Sequence, residues 1–258
     1  MASIQDIRSQ GESNLAKTMR GLSKKHKQRI KNAMKQYGGF ENIPNAFWEE
    51  LQKDIRDEMM AMFILIYVAS HETTQNKMKF QIPQEELQIR AQTVAGNRAS
   101  LLATSYVGHT RERMQNHLDN IRSQITSVAD EVREMTRKAD EVLSAERAES
   151  VAVTETTASI SAGQLDGVDD YKVQNPTAIT DVLWITEADG KVCTVCRPLH
   201  RKKEEVWSTA FPAGPPAHPN CRCELKTIGK QSKTGRLPEL QRGQGRDEPI
   251  SPGLRYGG

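Results

Sequence analysis

Residues 118–142 read LDNIRSQITSVADEVREMTRKADEV. Leu118, Ile121, Ile125, Val128, Val132, Met135, Ala139 and Val142 follow one another at alternating spacings of 3 and 4, and the positions between them are mostly charged or polar. That period is the a/d seam of an α-helix sustained over about three heptads. It predicts one helix over about 97–146, roughly 70 Å long at 1.5 Å per residue. So narrow an apolar stripe needs a partner helix, from the same chain or from another subunit. The stretch sets the class of the fold and carries no chemistry.

Outward from this seam, proline and glycine divide the chain. Of eleven prolines only Pro44 and Pro83 precede residue 176, and between residues 40 and 160 the only glycines are Gly96 and Gly108. Helix interiors tolerate few of either, so residues 1–165 read as a helical domain. Residues 176–228 are turn-rich and β-like, and 229–258, rich in Gly and Pro, read as a flexible tail. The expected class is α+β: a long helical half, a small β-rich module with clustered cysteines, then the tail.

Two segments of the helical half stand out. Residues 13–40 hold eight basic residues (Lys17, Arg20, Lys24, Lys25, Lys27, Arg29, Lys31, Lys35) and no Asp or Glu, and end at Gly38-Gly39. A solvated helix face explains this run; so does contact with nucleic acid or an acidic protein surface. No aromatic residue interleaves the charges, so phosphate contact would be independent of base sequence. A second helix should begin near Asn45 and run into MMAMFILIYVA at 59–69, apolar nearly all round and hence a candidate core or subunit interface.

Composition narrows the function classes. The chain of 258 residues is 36% hydrophobic and 27% charged, with a net charge of +3. So small a net charge argues against wholesale disorder, and the modest apolar content against one large core. The longest apolar run, 59–69, is far short of the ~20 residues a spanning helix needs, so no membrane association is expected. MASIQDIRSQ lacks the apolar core of an export signal. A reducing compartment favours metal over disulfide for clustered cysteines.

The four cysteines form that cluster. Cys193-Thr-Val-Cys196 is followed, 21 residues on, by His218-Pro-Asn-Cys221-Arg-Cys223. A CxxC turn presents two sulfurs to one ion, and alternate residues of a strand, such as Cys221 and Cys223, share a face. An all-cysteine tetrahedron results, with His218 as the alternative ligand and His200 as a further candidate. Thiolates in four-coordination favour zinc, and a fully liganded site would be structural. A disulfide formed after release, or free packed thiols, are the competing readings. Around the cluster, VLWI at 182–185 reads as a buried strand, residues 188–190 as a turn, and CRCELK at 221–226 as the returning strand. Upstream, Arg147 to Gly163 reads as a helix ending at that glycine, with Arg147, Thr154 and Glu155 as polar surface.

This order of parts resembles the bacteriophage minor head (head morphogenesis) proteins of the Mu F type. The helix matches through Arg147, Ala148, Ala152, Thr154, Glu155, Ala158 and Gly163. The module matches through Trp184, Asp189, Cys193, Cys196 and the run His218-Pro219-Asn220-Cys221-Arg222-Cys223. The resemblance spans about residues 145–228. It implies a non-enzymatic virion component inside the head near the portal, passing through the host cytoplasm during assembly. The implied partners are the portal protein, scaffold or capsid subunits, and phage DNA through non-specific basic contacts, with a role in packaging or ejection.

Other classes fit less well. A zinc deaminase needs H-x-E ahead of P-C-x-x-C; His71-Glu72 lies far from the cysteines, and no PCxxC occurs. A metal-dependent nuclease would use His200 or His218 with convergent acids, but Glu187, Asp189, Glu204 and Glu205 stand in no recognisable order. A zinc-ribbon-like nucleic-acid module draws support from Arg197, Arg201, Lys202, Lys203 and Arg222, and loses some from Glu204 and Glu205.

Overall fold

A computed structural model describes residues 2–187 and 192–230. Helix α1 (Ile4–Tyr37) opens on a capping box, in which the Ser3 side chain accepts from the Asp6 N–H and Asp6 accepts from the Ser3 N–H; it closes on Gly38 at φ 74°. Helix α2 (Asn45–Met78) follows Pro44, and α3 (Gln84–Ile121) follows Pro83, with Glu85 and Glu86 in its first turn. Helices α4 (Val128–Val142) and α5 (Ala145–Gln174) are capped by Ser127 and Ser144. Strand β1 (Ile179–Ile185), a four-residue helix α6 (Glu204–Trp207) and strand β2 (Glu224–Lys230) follow among the described residues. The strands pair antiparallel, Ile179 opposite Lys230 and Ile185 opposite Glu224. The α+β class expected from the sequence is the observed one. The turn expected at 188–190 and the tail beyond Lys230 lie outside the described residues.

The helix expected over 97–146 is not continuous. It stops at Ile121, passes through a 3-10 turn at Arg122–Gln124, and restarts at Val128. Ser127 Oγ accepts the Asp130 N–H at 3.2 Å, and a serine offered such a cap favours a helix start over a helix interior. Helix α4 then folds back along α3, bringing Arg137 and Lys138 near His117. The seam residues Val132, Met135, Ala139 and Val142 are buried, whereas Val128 is 48% exposed. Their partners are α1 and α3 of the same chain.

Helix α5 is the axis of the molecule, packing against α1, α2 and β2. Every residue from Val151 to Ser161 is buried. Gly163 does not end this helix. A Cβ there would lie 2.4 Å from the Tyr67 carbonyl oxygen, and one at Gly167 would lie 2.9 Å from Thr74 Cβ. These glycines let α5 and α2 approach backbone to backbone, a gain that outweighs the ~1 kcal/mol propensity cost of glycine in a helix. The 59–69 run of α2 is only partly interior: Met59, Phe63, Ile66 and Tyr67 are buried, but Leu65 is 70% exposed.

A large core lies among α1 to α5. A second joins Val182, Trp184, Trp207 and Leu225 of the β-rich part to Met78, Phe80, Leu165, Val168 and Tyr171 of the helical part. Among the described residues no helix is long and apolar enough to cross a membrane.

Candidate metal centre

The CxxC turn closes on itself: the Cys196 N–H donates to Cys193 Sγ at 3.2 Å, and the Arg197 N–H to the Cys193 carbonyl at 3.0 Å. The segment 218–223 comes up against it, turned by Asn220 at φ 62°. His218 Nε2 lies 3.0 Å from Cys193 Sγ and 3.4 Å from Cys196 Sγ, and Cys196 Sγ lies 3.8 Å from Cys221 Sγ. Two donor groups result, Cys193–Cys196–His218 and Cys196–Cys221–Cys223, each with its ligand atoms within 4.8 Å of one another. They share Cys196. All four cysteines are free thiols. This donor set can hold a metal ion. His200 stands apart, its Nδ1 2.8 Å from Thr186 Oγ1.

The electrostatics favour a thiolate here. Contacts with the thiols of Cys196 and Cys223 hold the Cys221 thiol well below the usual thiol range. The same contacts with Cys221 and Cys223, together with burial, raise the thiol of Cys196. Burial disfavours the charged form of His218, but the Pro219 carbonyl and the thiols of Cys221 and Cys193 outweigh it and raise its pKa. Cys193 and His218 line a cleft of about 510 Å³, whose other walls include Glu146, Glu149, Glu187 and Arg222.

The helices bind the backbone of this loop directly. The Asn220 N–H donates to Thr154 Oγ1 at 3.0 Å, Thr157 Oγ1 donates to the Cys221 carbonyl at 2.8 Å, and Gln164 Nε2 donates to the Leu225 carbonyl at 3.0 Å. From α1, buried Arg8 donates to the carbonyls of Arg222 and Cys223. Thus Thr154, expected at the surface, is fully buried and fastens the loop through the Asn220 N–H. Glu155, also expected at the surface, is 1% exposed and pairs with Arg98 of α3 at 2.5 Å. Arg147 lies 3.9 Å over the Tyr106 ring and donates to Thr110 Oγ1 and to the carbonyls of Val142 and Tyr106.

Sequence reading passed over Arg8, Thr157 and Gln164. The threonines and Gln164 recur at helical spacing along one face of α5, which was a usable signal; Arg8, remote in sequence, offered none. It also passed over a buried polar chain: His71 Nε2 lies 2.8 Å from Asp170 Oδ2, Arg90 donates to Asp170 Oδ1, and Tyr67 donates to Asp166.

A bundle whose central helix grips a Cys/His-clustered loop defines a helical protein with a small β annex. A family model described as Phage Mu protein F like protein matches residues 47–226. The match covers well over half of the chain, including the whole cysteine cluster, and the chain belongs to that family of phage head morphogenesis proteins. Comparison with curated proteins and with solved structures gives no match.

Proposed function

We propose that the chain is a non-enzymatic minor head protein that enters the phage head at the portal vertex during assembly and touches the packaged DNA. Its partners in this reading are the portal protein and scaffold or capsid subunits. It is made in the host cytoplasm and remains inside the head. Family membership supports the head, and the surface of α1 supports the DNA contact. Of the eight basic residues in 13–40, Arg20, Lys25, Lys27 and Arg29 are engaged by Glu149, Asp54 and Asp140. Lys17, Lys24, Lys31 and Lys35 have no ion-pair partner among the described residues. Their spacings of 7, 7 and 4 place them within one narrow face, about 27 Å long. This uncompensated lysine row is the observation that carries the DNA contact.

The test has two parts. Mass spectrometry of purified heads should find the chain at low copy relative to the coat subunit; absence from heads overturns the reading. Duplex DNA binding should weaken with salt at a log–log slope no steeper than about −3.6, the value for four phosphate contacts. Replacing the four lysines with glutamine should abolish that binding. Binding that survives the replacement moves the contact elsewhere, with the cysteine module as the next candidate.

A further inference from the structure

We propose that Cys193, Cys196, Cys221 and His218 together hold one soft divalent cation of the zinc class, and that Cys223 stays outside the coordination sphere. The cluster offers five donors for a four-coordinate site, so one must be left out.

The first observation concerns His218. Its Nδ1 lies 2.7 Å from the Pro219 carbonyl oxygen, which can only accept, so Nδ1 carries the proton. In the neutral ring that a metal ligates, Nε2 then holds the lone pair, and it faces the sulfurs of Cys193 and Cys196 at 3.0 and 3.4 Å. An imidazole fixed by a backbone carbonyl on one nitrogen and free on the other is the usual arrangement of a metal-ligating histidine. The second observation is the spacing of the donors. Zinc–sulfur bonds of about 2.3 Å and zinc–nitrogen bonds of about 2.0 Å set tetrahedral edges of roughly 3.8 Å between sulfurs and 3.5 Å between sulfur and nitrogen. The Cys196–Cys221 and Cys196–His218 separations are 3.8 and 3.4 Å.

The third observation separates Cys221 from Cys223. The Cys221 sulfur accepts the backbone N–H of Cys223, as the Cys193 sulfur accepts that of Cys196. Backbone donors aimed at a sulfur stabilise a metal-bound thiolate. Cys223 lies instead beside the indole N–H of Trp184, a buried donor without a hydrogen-bond partner among the described residues. Cys221 Sγ, 3.8 Å from Cys196 Sγ, is the sulfur that stands one tetrahedral edge from the shared ligand. Cation binding therefore completes the outer group, Cys193–Cys196–His218, with the Cys221 sulfur drawn in across the shared Cys196.

The test is elemental analysis of the full chain purified under reducing conditions, together with cobalt(II) reconstitution. Unaltered protein and Cys223→Ser should each carry one metal ion per chain, with the same cobalt spectrum of three thiolates and one nitrogen. His218→Ala should lose the ion on gel filtration, and His218→Cys should retain it with a four-thiolate spectrum. A four-thiolate spectrum from the unaltered protein overturns the assignment, whether or not any variant folds. So does loss of metal from Cys223→Ser with retention in His218→Ala, or a chain that binds neither zinc nor cobalt.

Discussion

Thr157 shows what a single hydroxyl does here. It sits in the interior of a helix, buried, and donates to the carbonyl of Cys221 across the boundary with the cysteine loop. Replacing it with valine keeps the shape and leaves that carbonyl without its donor, which should lower stability by about 1–3 kcal/mol in chemical denaturation. A change under about 0.5 kcal/mol, the range of surface substitutions, would mean that the contact holds nothing. His26 is a second case. It is 1% exposed, with Asp54 at 3.4 Å. Burial, aided by Arg29 and Lys25 and opposed by Asp54, holds its pKa down to about 4. The folded state therefore carries the neutral ring, and protons bind the unfolded chain first. The stability this provides is complete above pH 6.5 and is lost as pH falls toward 4, on the order of 3 kcal/mol in all. His26→Gln should flatten the stability profile over that window; parallel profiles for the two proteins would contradict it. The cysteine and histidine donors were legible because their spacing is a chemical signature in itself. Thr154 and Glu155, expected at the surface, are buried and Arg147 is half-buried, because each meets a distant partner that local sequence does not show: Asn220, Arg98 and Tyr106.

At the scale of elements, close approach and capping decided what periodicity did not. Gly163→Ala would set a methyl 2.4 Å from the Tyr67 carbonyl and push α5 away from α2, at an expected cost of about 1–3 kcal/mol. Gly108→Ala, in α3 with no neighbouring atom within 4 Å, should stabilise by about 0.5–1 kcal/mol. Thermal melts that move the same way for both would refute the packing role of Gly163. The seam has a similar pair. Met135 is fully buried, so Met135→Ala should cost about 2–5 kcal/mol. Val128 is half-exposed in the first turn of α4, and Val128→Lys should fall within about 0.5 kcal/mol of the unaltered protein. The 3–4 spacing was correctly read as helical, yet it passes through Ile125 without registering the break. The interruption lay in Ser127-x-x-Asp130, a start signal inside an otherwise regular pattern.

At the scale of the whole molecule, the composition shift at residue 176 marks a change of secondary structure more than a change of core. Helical and β-rich parts meet in one apolar cluster around Trp184, Trp207, Tyr171 and Met78. The polar face of α5 and Arg8 of α1 bind the loop that carries Cys221 and Cys223. Texture along a chain reports local preference, and a core shared by residues as far apart as Met78 and Leu225 leaves no local trace. The central claim is that α5 makes helices and cysteine loop one cooperative body. Differential scanning calorimetry of the metal-loaded, reduced chain tests it most directly. The account predicts a single transition whose van't Hoff and calorimetric enthalpies agree. Two separated transitions, with the first removing the β-rich part while the helices persist, would contradict it.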